Sequence, residues 1–327
     1  MSDMQQSDSI AGGEHDLTRV TISTGARLHF GLLDSVEPFG GIGVMIRDPG
    51  TTVSASFNDV FTCPDQHLER LCEIARSVSN SLGNDDLPPI RLEVRSDAQS
   101  HCGLGSGTQL SLAAAEAMLR LLRLPYDELD LAISHANRGK RSAVGIHGYY
   151  NGGMIFESNH PDDNLLNPIQ ERVTLPSHWH VAVLKPLMEI GQVFGLAEVE
   201  KFATLPPAPE KLRESLQQIA RRQLVPAARR GDFQEFSQAL QVYNCTSGRL
   251  FESIQGGPYN GADVTALINW LIRQGVMGVG QSSWGPGVFA WFESESHARR
   301  LLRNLPEGIE LMALTSAFDQ PRMMTCQ

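Results

Sequence analysis

Short apolar runs, and at residues 90–94 a run in which apolar and polar residues alternate, predict β-strands along much of the chain. The predicted strands are residues 19–24, 42–46, 51–57, 90–94, 154–157, 179–185, 276–279, 287–292 and 309–314. Other stretches repeat apolar residues at helical spacing and predict helices, which are residues 66–82, 106–124, 126–136, 209–224, 232–243 and 262–274. Strands and helices in this order predict an α+β fold.

Glycine and proline mark the predicted breaks between these elements. Asp48-Pro49-Gly50 is typical of a turn between two strands. Residues 142–153 are so rich in glycine that no regular helix is expected there. Residues 159–168 contain Pro161-Asp162-Asp163-Asn164, which favours a domain boundary. We therefore predict a disordered tail over residues 1–17, an N-terminal domain over 18–168 and a C-terminal domain over 169–327.

Composition and charge narrow the class of protein. The chain has 327 residues, of which 41% are hydrophobic and 20% charged, as in a globular protein of about two domains. With 27 Lys+Arg against 37 Asp+Glu, its formal net charge is -10, which disfavours nucleic acid and anionic membranes as partners. The polar start lacks the pattern of a secretory signal, and the five cysteines are scattered, so we expect a cytoplasmic protein with reduced thiols.

A glycine-rich loop between a predicted strand and a long predicted helix is the clearest chemical signal. Its residues are Gly103, Leu104, Gly105, Ser106, Gly107 and Thr108. Glycines let backbone N–H groups approach an anion, and the first helical turn adds its dipole, so the loop predicts a phosphate or diphosphate site. The alternative is a purely structural helix cap made by Ser106 or Thr108.

Three further segments carry candidate chemistry. Arg138, Lys140 and Arg141 place three cations in four residues on an acidic protein, which favours an anion pocket over a merely solvated face. Arg27 and His29 share a strand parity and can project to one side, with Asp34 close behind. A late loop of small residues, 280–287, can close over a ligand, or it can be a structural turn around a packed tryptophan.

The order of these segments over residues 19–317 resembles the GHMP superfamily of small-molecule kinases. The resemblance implies an N-terminal domain like domain 2 of ribosomal protein S5, a ferredoxin-like C-terminal domain, and a site in the groove between them. Two departures argue against ATP-dependent phosphoryl transfer. Gly107 stands where the kinases have a second serine, and Gly145-Ile146-His147 stands where many have an aspartate base.

Three motifs, residues 26–34, 141–148 and 280–286, resemble the β-ribofuranosylaminobenzene 5′-phosphate synthase family more specifically. This family uses the GHMP fold to join 4-aminobenzoate, or a close para-substituted benzoate, to phosphoribosyl diphosphate. The reaction releases CO₂ and diphosphate and belongs to tetrahydromethanopterin biosynthesis. The resemblance also implies Mg²⁺ as cofactor, small-molecule substrates as partners and a homodimer.

Roles for individual residues follow from the resemblance and the segments above. Catalytic roles are implied for Arg27, His29, Arg141 and His147. Phosphate or diphosphate binding is implied for Gly103, Leu104, Gly105, Ser106, Gly107, Thr108, Arg138 and Lys140. Contacts with the rest of the substrate are implied for Ser142, Tyr149, Gln281, Ser282, Ser283 and Trp284, and a metal contact for Asp34. A histidine such as His147 can equally be a packed residue.

Two other classes stay open at this point. One is a GHMP kinase acting on a small alcohol, and the other is a non-catalytic sensor that keeps the groove and binds a phosphorylated metabolite. Consumption of ATP without release of CO₂ marks the first. Ligand-dependent melting without turnover marks the second.

Overall fold

The computed structural model describes residues 17–159, 166–187 and 205–327. Its strands are β1 (Arg19–Leu32), β2 (Gly41–Phe57), β3 (Ile90–Ser96), β4 (Met154–Glu157), β5 (Ile169–Val173), β6 (His180–Pro186), β7 (Val279–Gln281), β8 (Val288–Phe292), β9 (Ile309–Thr315) and β10 (Met323–Cys326). Its helices are α1 (Leu68–Ser81), α2 (Ser106–Leu121), α3 (Val144–Asn151), α4 (Glu210–Ile219), α5 (Val225–Arg230), α6 (Phe233–Gly248), α7 (Glu252–Gln255), α8 (Gly261–Arg273) and α9 (Glu295–Leu302). Short 3-10 or π-helical turns lie at residues 65–67, 130–135, 220–224 and 249–251.

The first sheet has the antiparallel order β10-β1-β2-β4-β5, and β3 also pairs with β2. Helices α1 and α2 cover the half of this sheet that carries Val20, Ile22 and Val53. Helix α2 is almost wholly buried because a run of alanines and leucines lets it lie close to both the sheet and α1. This layer is the scaffold for the glycine-rich loop, which ends where α2 begins.

The second sheet has the order β7-β8-β6-β9. Its apolar side chains continue the core of the first sheet, because Phe30 of β1 packs against Phe289 and Trp291 of β8 at ring-centroid distances of 5.3 and 6.4 Å. The long strand β1 therefore takes part in two apolar cores, one under α2 and one shared with the second sheet. Its even-numbered residues Leu28 and Phe30 enter the shared core, which leaves Arg27 and His29 on the opposite face.

Two local predictions were wrong. Asp48-Pro49-Gly50 does not separate two strands, because β2 runs through it and pairing passes from Thr24–Thr51 to Ala26–Ile46, leaving residues 47–50 as a bulge. The glycine-rich stretch after residue 142 forms helix α3. A Cβ at Gly148 would lie 2.5 Å from the Met45 side chain, so glycine there allows α3 to pack tightly on β2.

The sheets exchange strands across the predicted domain boundary. Strand β5 pairs with β4, and β10 returns near the end of the chain to pair with β1, so both belong to the first sheet. The boundary segment 159–168 and the predicted tail lie largely outside the described residues. In the parts of the chain that the structure describes, no helix has both the length and the apolar composition needed to cross a bilayer.

Candidate functional site

Three of the segments singled out in the sequence meet at the end of β1. The Arg27 N–H donates to the Leu104 carbonyl at 2.8 Å, which ties β1 to the glycine-rich loop. The Ser282 hydroxyl donates to the Gly103 carbonyl at 2.7 Å and accepts from the His29 N–H at 3.0 Å. Ser282 is thus a buried link between β1, the glycine-rich loop and the late loop, and these contacts form the base of the site.

Glycines are needed where the two loops touch. A Cβ at Gly103 would collide with the Ser282 carbonyl, and one at Gly287 would collide with the Cys102 carbonyl. Gly105, with φ +67°, precedes α2 as its N-cap, and no side chain caps this helix end. Among the described residues, no hydrogen bond between the Ser106 or Thr108 hydroxyl and this helix end supports the alternative of a structural cap. The Thr108 N–H already donates to the Gly105 carbonyl at 3.0 Å, so the first turn of α2 offers the N–H groups of Ser106 and Gly107 to an anion.

A cavity of about 900 Å³ opens above these contacts, between the two halves of the chain. Predicted site residues on its wall are Arg27, His29, Thr108, Arg138, Lys140, Arg141, Ser142, Gln281, Ser283 and Trp284. The volume is within the range of small-molecule sites. The wall also includes residues that were not singled out from the sequence, namely Glu37, Phe39, Asn244, Ser247, Phe251 and Gln255.

Arg27 is the central cation of this cavity. Its side chain lies against Gly105, where a Cβ would be 3.3 Å from the Arg27 Nε, and also beside Gly145 of α3. The Nε and Nη1 atoms are buried, and neither has a hydrogen-bond partner among the described residues. Burial lowers the pKa of Arg27 to about 10, with nearby Glu157 raising it and Arg141 lowering it. The guanidinium is therefore charged at neutral pH and short of acceptors, which favours a bound anion.

The loop after residue 137 adds further positive charge to the same wall. Arg138 donates from Nη2 to the Ser111 hydroxyl at 3.2 Å, and burial together with the charge of Arg70 lowers its pKa to about 10. Arg141 is near enough to lower the pKa of both Arg27 and His29. Lys140 is exposed at the rim. Four cations of the described chain therefore face one cavity in a protein of negative net charge.

His29 is a buried, neutral imidazole at this site. Its Nε2 lies 3.2 Å from the Ser142 hydroxyl, and its carbonyl accepts from the Ser283 N–H at 3.2 Å. Burial, followed by the charges of Arg27 and Arg141, holds its pKa well below the ordinary value. At neutral pH the ring therefore has one N–H donor and one nitrogen acceptor, so it can orient a ligand or hold a proton without adding charge.

Glu157 is a site residue that the sequence analysis missed. It ends β4, is fully buried, and its Oε2 accepts from the Ala143 N–H at 2.7 Å. Burial raises its pKa to about 8, although hydrogen bonds from Ser142, Ala143 and Asn167 and the charge of Arg27 oppose the shift. Because Ser142 contacts both groups, it links Glu157 to His29. A glutamate in the apolar run Met154–Glu157 was the available signal.

Several predicted residues do not reach the cavity wall. The His147 Nε2 lies 2.6 Å from the Asn167 carbonyl, and burial lowers the pKa of the ring. Tyr149 is fully buried and donates its hydroxyl to the Glu116 Oε2 at 2.5 Å, so this geometry does not support stacking of Tyr149 on a ligand. Residues 103–107 and Ser282 build the floor behind the wall, while Thr108 reaches the cavity itself.

The predicted metal contact at Asp34 does not fit the arrangement of its neighbours. Its Oδ1 accepts from the Ser35 N–H at 2.7 Å, and its Oδ2 pairs with Arg213 Nη1 at 3.3 Å. The carboxylate is thus already neutralised, and it is absent from the cavity wall. Among the described residues, no three His, Cys, Asp or Glu side chains are grouped so that they could hold a metal ion.

The chain matches two family models, described as GHMP kinases N terminal domain over residues 68–154 and GHMP kinases C terminal over residues 224–310. Among solved structures, mevalonate kinase of L. major aligns with a TM-score of 0.66 and 14% identity, covering 95% of this chain and 99% of that one. Mevalonate pyrophosphate decarboxylase of Streptococcus pyogenes aligns with a TM-score of 0.63 and 13% identity, covering 94% and 99%. The fold is that of the GHMP kinases, as the sequence predicted.

Curated relatives narrow the family. The beta-ribofuranosylphenol 5′-phosphate synthase of Methanothermobacter thermautotrophicus is 27% identical over 295 residues, covering 82% of this chain and 87% of that protein. The enzyme of the same name from Archaeoglobus fulgidus is 28% identical over 294 residues, covering 84% and 88%. A homoserine kinase of Pyrococcus furiosus is a weaker match, at 27% over 296 residues, covering 83% and 90%. These matches confirm the predicted resemblance to the β-ribofuranosylaminobenzene 5′-phosphate synthase family, and relatives of this kind show that the chain is an enzyme, as predicted.

Proposed function

We propose that this enzyme condenses a para-substituted benzoate with phosphoribosyl diphosphate and releases CO₂ and diphosphate. 4-Aminobenzoate is the arene that the sequence resemblance implies. The relatives are named for a ribofuranosylphenol product, which points to a para hydroxyl group on the arene in their reaction. Both arenes belong to one chemical class, a benzoate whose para substituent donates electrons to the ring.

The observation that carries the proposal is the buried guanidinium of Arg27 beside the glycine-rich loop, whose Nε and Nη1 have no hydrogen-bond partner among the described residues. When diphosphate leaves the ribose, positive charge develops at C1 and negative charge on the departing oxygens. Fixed donors and cations that face the leaving group stabilise this transition state more than the substrate. Arg27, the first turn of α2 and the cations of residues 138–141 supply such a surface.

The bonding changes require no nucleophilic side chain. The ring carbon that carries the carboxylate forms a bond to C1 as the C1–oxygen bond to diphosphate breaks, with electrons supplied by the para substituent. The bond from that carbon to the carboxylate then breaks, its electrons return to the ring, and CO₂ leaves. The enzyme has to position two substrates and neutralise a leaving group, and the neutral His29 suits an orienting role.

The same cavity argues against a kinase. Many kinases of this fold place a carboxylate beside the hydroxyl that attacks ATP. Of the described residues on the cavity wall, one is a carboxylate, Glu37, and its side chain is exposed. The buried Glu157 lies behind Ser142 instead of on the wall.

Four finer statements stay predictions. These are a cytoplasmic location, a homodimer, a place in tetrahydromethanopterin biosynthesis, and dependence on Mg²⁺. Because Asp34 is engaged by Arg213, we expect Mg²⁺ to arrive with the diphosphate substrate and not to be held by protein carboxylates.

The test incubates purified enzyme with phosphoribosyl diphosphate and carboxyl-labelled 4-aminobenzoate or 4-hydroxybenzoate, with Mg²⁺ or with a chelator. We expect labelled CO₂ and diphosphate in equal amounts, and neither product without the ribosyl donor. Parallel reactions with ATP and homoserine test the kinase. ATP consumption without CO₂ would replace the proposal by that alternative, and ligand-dependent melting without any product would replace it by a sensor.

A further inference from the structure

The cavity has a second wall with a different chemistry. The cations come from β1 and the loop before α3, whereas the aromatic lining comes from the C-terminal half of the chain. On that side the rings of Phe251 and Trp284 meet edge to face at a centroid distance of 5.3 Å, with Pro258 beside them. An aromatic ring is the part of the proposed substrates that such a wall would accommodate.

Gln255 is the polar side chain on this wall with an unmet hydrogen-bonding capacity. It is 8% exposed and lies at the end of α7. Its Nε2 donates to the Gly248 carbonyl at 2.9 Å, which fixes the orientation of the amide. The remaining oxygen, Oε1, is buried and has no hydrogen-bond partner in the described part of the chain. A buried acceptor without a partner is unfavourable unless a ligand supplies a donor.

The geometry of the reaction connects the two walls. In a para-substituted benzoate, the substituent lies directly across the ring from the carbon that carries the carboxylate. If that carbon faces the ribosyl donor at the cations, the para substituent points away from them, and we place it against the aromatic lining from the C-terminal half. This orientation rests on the proposed function, because that function decides which end of the arene reacts.

We infer that Gln255 is a specificity-determining residue whose Oε1 accepts a hydrogen bond from the para substituent of the arene. The substrate class is then narrower than electron-rich benzoates, because the para group must carry a hydrogen-bond donor. Amino and hydroxyl groups meet this requirement, whereas methyl and methoxy groups do not. A site that buries an acceptor discriminates strongly against analogues that leave it unpaired.

Binding measurements test this selectivity without requiring turnover. Titration calorimetry compares 4-hydroxybenzoate and 4-aminobenzoate with 4-methylbenzoate, which is similar in size and has no donor, in the presence of inorganic diphosphate. We expect wild-type enzyme to bind the two donor-bearing arenes at least about tenfold more tightly than the methyl analogue. Equal affinities for the three arenes, or binding of none of them, would overturn the inference.

Two variants test whether Gln255 is the residue that causes the preference for donor-bearing arenes. Gln255→Met keeps the length of the side chain and removes its acceptor, so we expect the preference to fall to within about threefold. Gln274→Met makes the same chemical change at an exposed position after α8 and should keep the full preference. Thermal melting checks that both variants are folded. A folded Gln255→Met enzyme with the wild-type preference would refute the assignment.

Turnover of a further compound, 4-methoxybenzoate, distinguishes a failure of this inference from a failure of the proposed function. 4-Methoxybenzoate donates electrons to the ring but has no hydrogen to donate, so wild-type enzyme should release CO₂ from it at least about tenfold less efficiently than from 4-hydroxybenzoate. Equal efficiency would refute the role of Gln255 and leave the synthase activity standing. Absence of CO₂ from every benzoate would refute the synthase activity, while the binding preference would still decide the role of Gln255.

Discussion

Two fully buried glutamates, Glu116 and Glu157, differ sharply in how their charge is satisfied. Glu116 of α2 accepts from Tyr126 at 2.6 Å and Tyr149 at 2.5 Å, and it pairs with both Nε and Nη2 of Arg322 at 3.0 and 2.6 Å. Burial alone would raise its pKa, but these donors, led by Arg322, hold the pKa below its ordinary value. Glu157 has no such cation in hydrogen-bonding contact in the described chain, and its pKa is about 8.

This difference indicates that the charge of Glu116 has a structural role, whereas the charge of Glu157 belongs to the functional site. Arg322 precedes β10, so the saturated Glu116 fastens the returning end of the chain to α2. Glu157 and Arg27 interact electrostatically, and each keeps a buried polar atom that has no hydrogen-bond partner within residues 17–159, 166–187 and 205–327. Groups left in this state cost stability and are typical of binding and catalytic sites. The largest losses of stability should therefore follow changes at Glu116, and changes of function should follow those near Glu157.

The strongest test of this contrast removes the saturated carboxylate. Glu116→Leu leaves Arg322 and two tyrosine hydroxyls without their acceptor, and we expect the free energy of unfolding to fall by about 3 kcal/mol. Urea denaturation measures this change. Glu307→Leu, at an exposed position, is the control and should change stability by less than about 0.5 kcal/mol. If Glu116→Leu were as stable as the control, the proposal that Glu116 holds the end of the chain against α2 would be wrong.

A change at the unpaired cation should affect function and spare stability. Arg27→Met is expected to lower kcat/KM for labelled CO₂ release about a hundredfold, because it removes charge from the departing diphosphate. The free energy of unfolding should stay equal or rise, since a buried, unpartnered guanidinium is replaced by an apolar chain. Arg91→Met, at an exposed position of β3, is the control. Full activity in Arg27→Met would contradict the anion site.

The raised pKa of Glu157 predicts a dependence of stability on pH. Between about pH 4.5 and pH 8 the folded protein holds this proton and the unfolded chain does not, so stability falls as the pH rises, by up to about 1.4 kcal/mol per pH unit from this group. Glu157→Gln should remove this contribution. Urea titrations at several pH values measure it, with Glu307→Gln as the control. Identical pH profiles for Glu157→Gln and wild type would show that the pKa is not raised.

The opposite pattern holds for Glu116. Its pKa is lowered, so its stabilisation is complete above about pH 4.5 and is lost as the pH falls through the folded-state value. In the same titrations the wild-type protein should therefore lose stability at the acidic end because of Glu116, and at the neutral end because of Glu157. If the free energy of unfolding only rose or only fell between the acidic and the neutral end, the proposed difference between the two glutamates would be wrong.

The smallest effect is expected at His147. Its ring contacts a backbone carbonyl and is absent from the cavity wall, so His147→Ala should cost about 1 kcal/mol of stability and change kcat/KM by less than about twofold. His178→Ala, at an exposed histidine, is the control. A tenfold loss of turnover with unchanged stability would instead support the catalytic role that the family resemblance implies.

Motifs made of contiguous residues could be predicted from the sequence, whereas contacts between residues distant in the sequence could not. The glycine-rich loop before α2 and the cations at residues 138–141 could be found because each is a contiguous pattern with a direct physical meaning. Helix α3 was missed because glycine is a poor helix former on its own. The Met45 side chain, distant in sequence, makes glycine the residue that fits there.

By itself, the sequence determined the α+β class, the order of the segments and the chemistry of the cationic wall. The tertiary structure alone decided that β10 returns to the first sheet, that Tyr149 turns away from the cavity toward Glu116, and that Glu157 and Gln255 take part in the site. The reason is that burial and hydrogen-bond satisfaction depend on residues far apart in the chain. Gln255 belongs to no local pattern. For both Gln255 and Glu157, the place in the site rests on a buried side-chain oxygen that has no hydrogen-bond partner in the part of the chain that the structure describes.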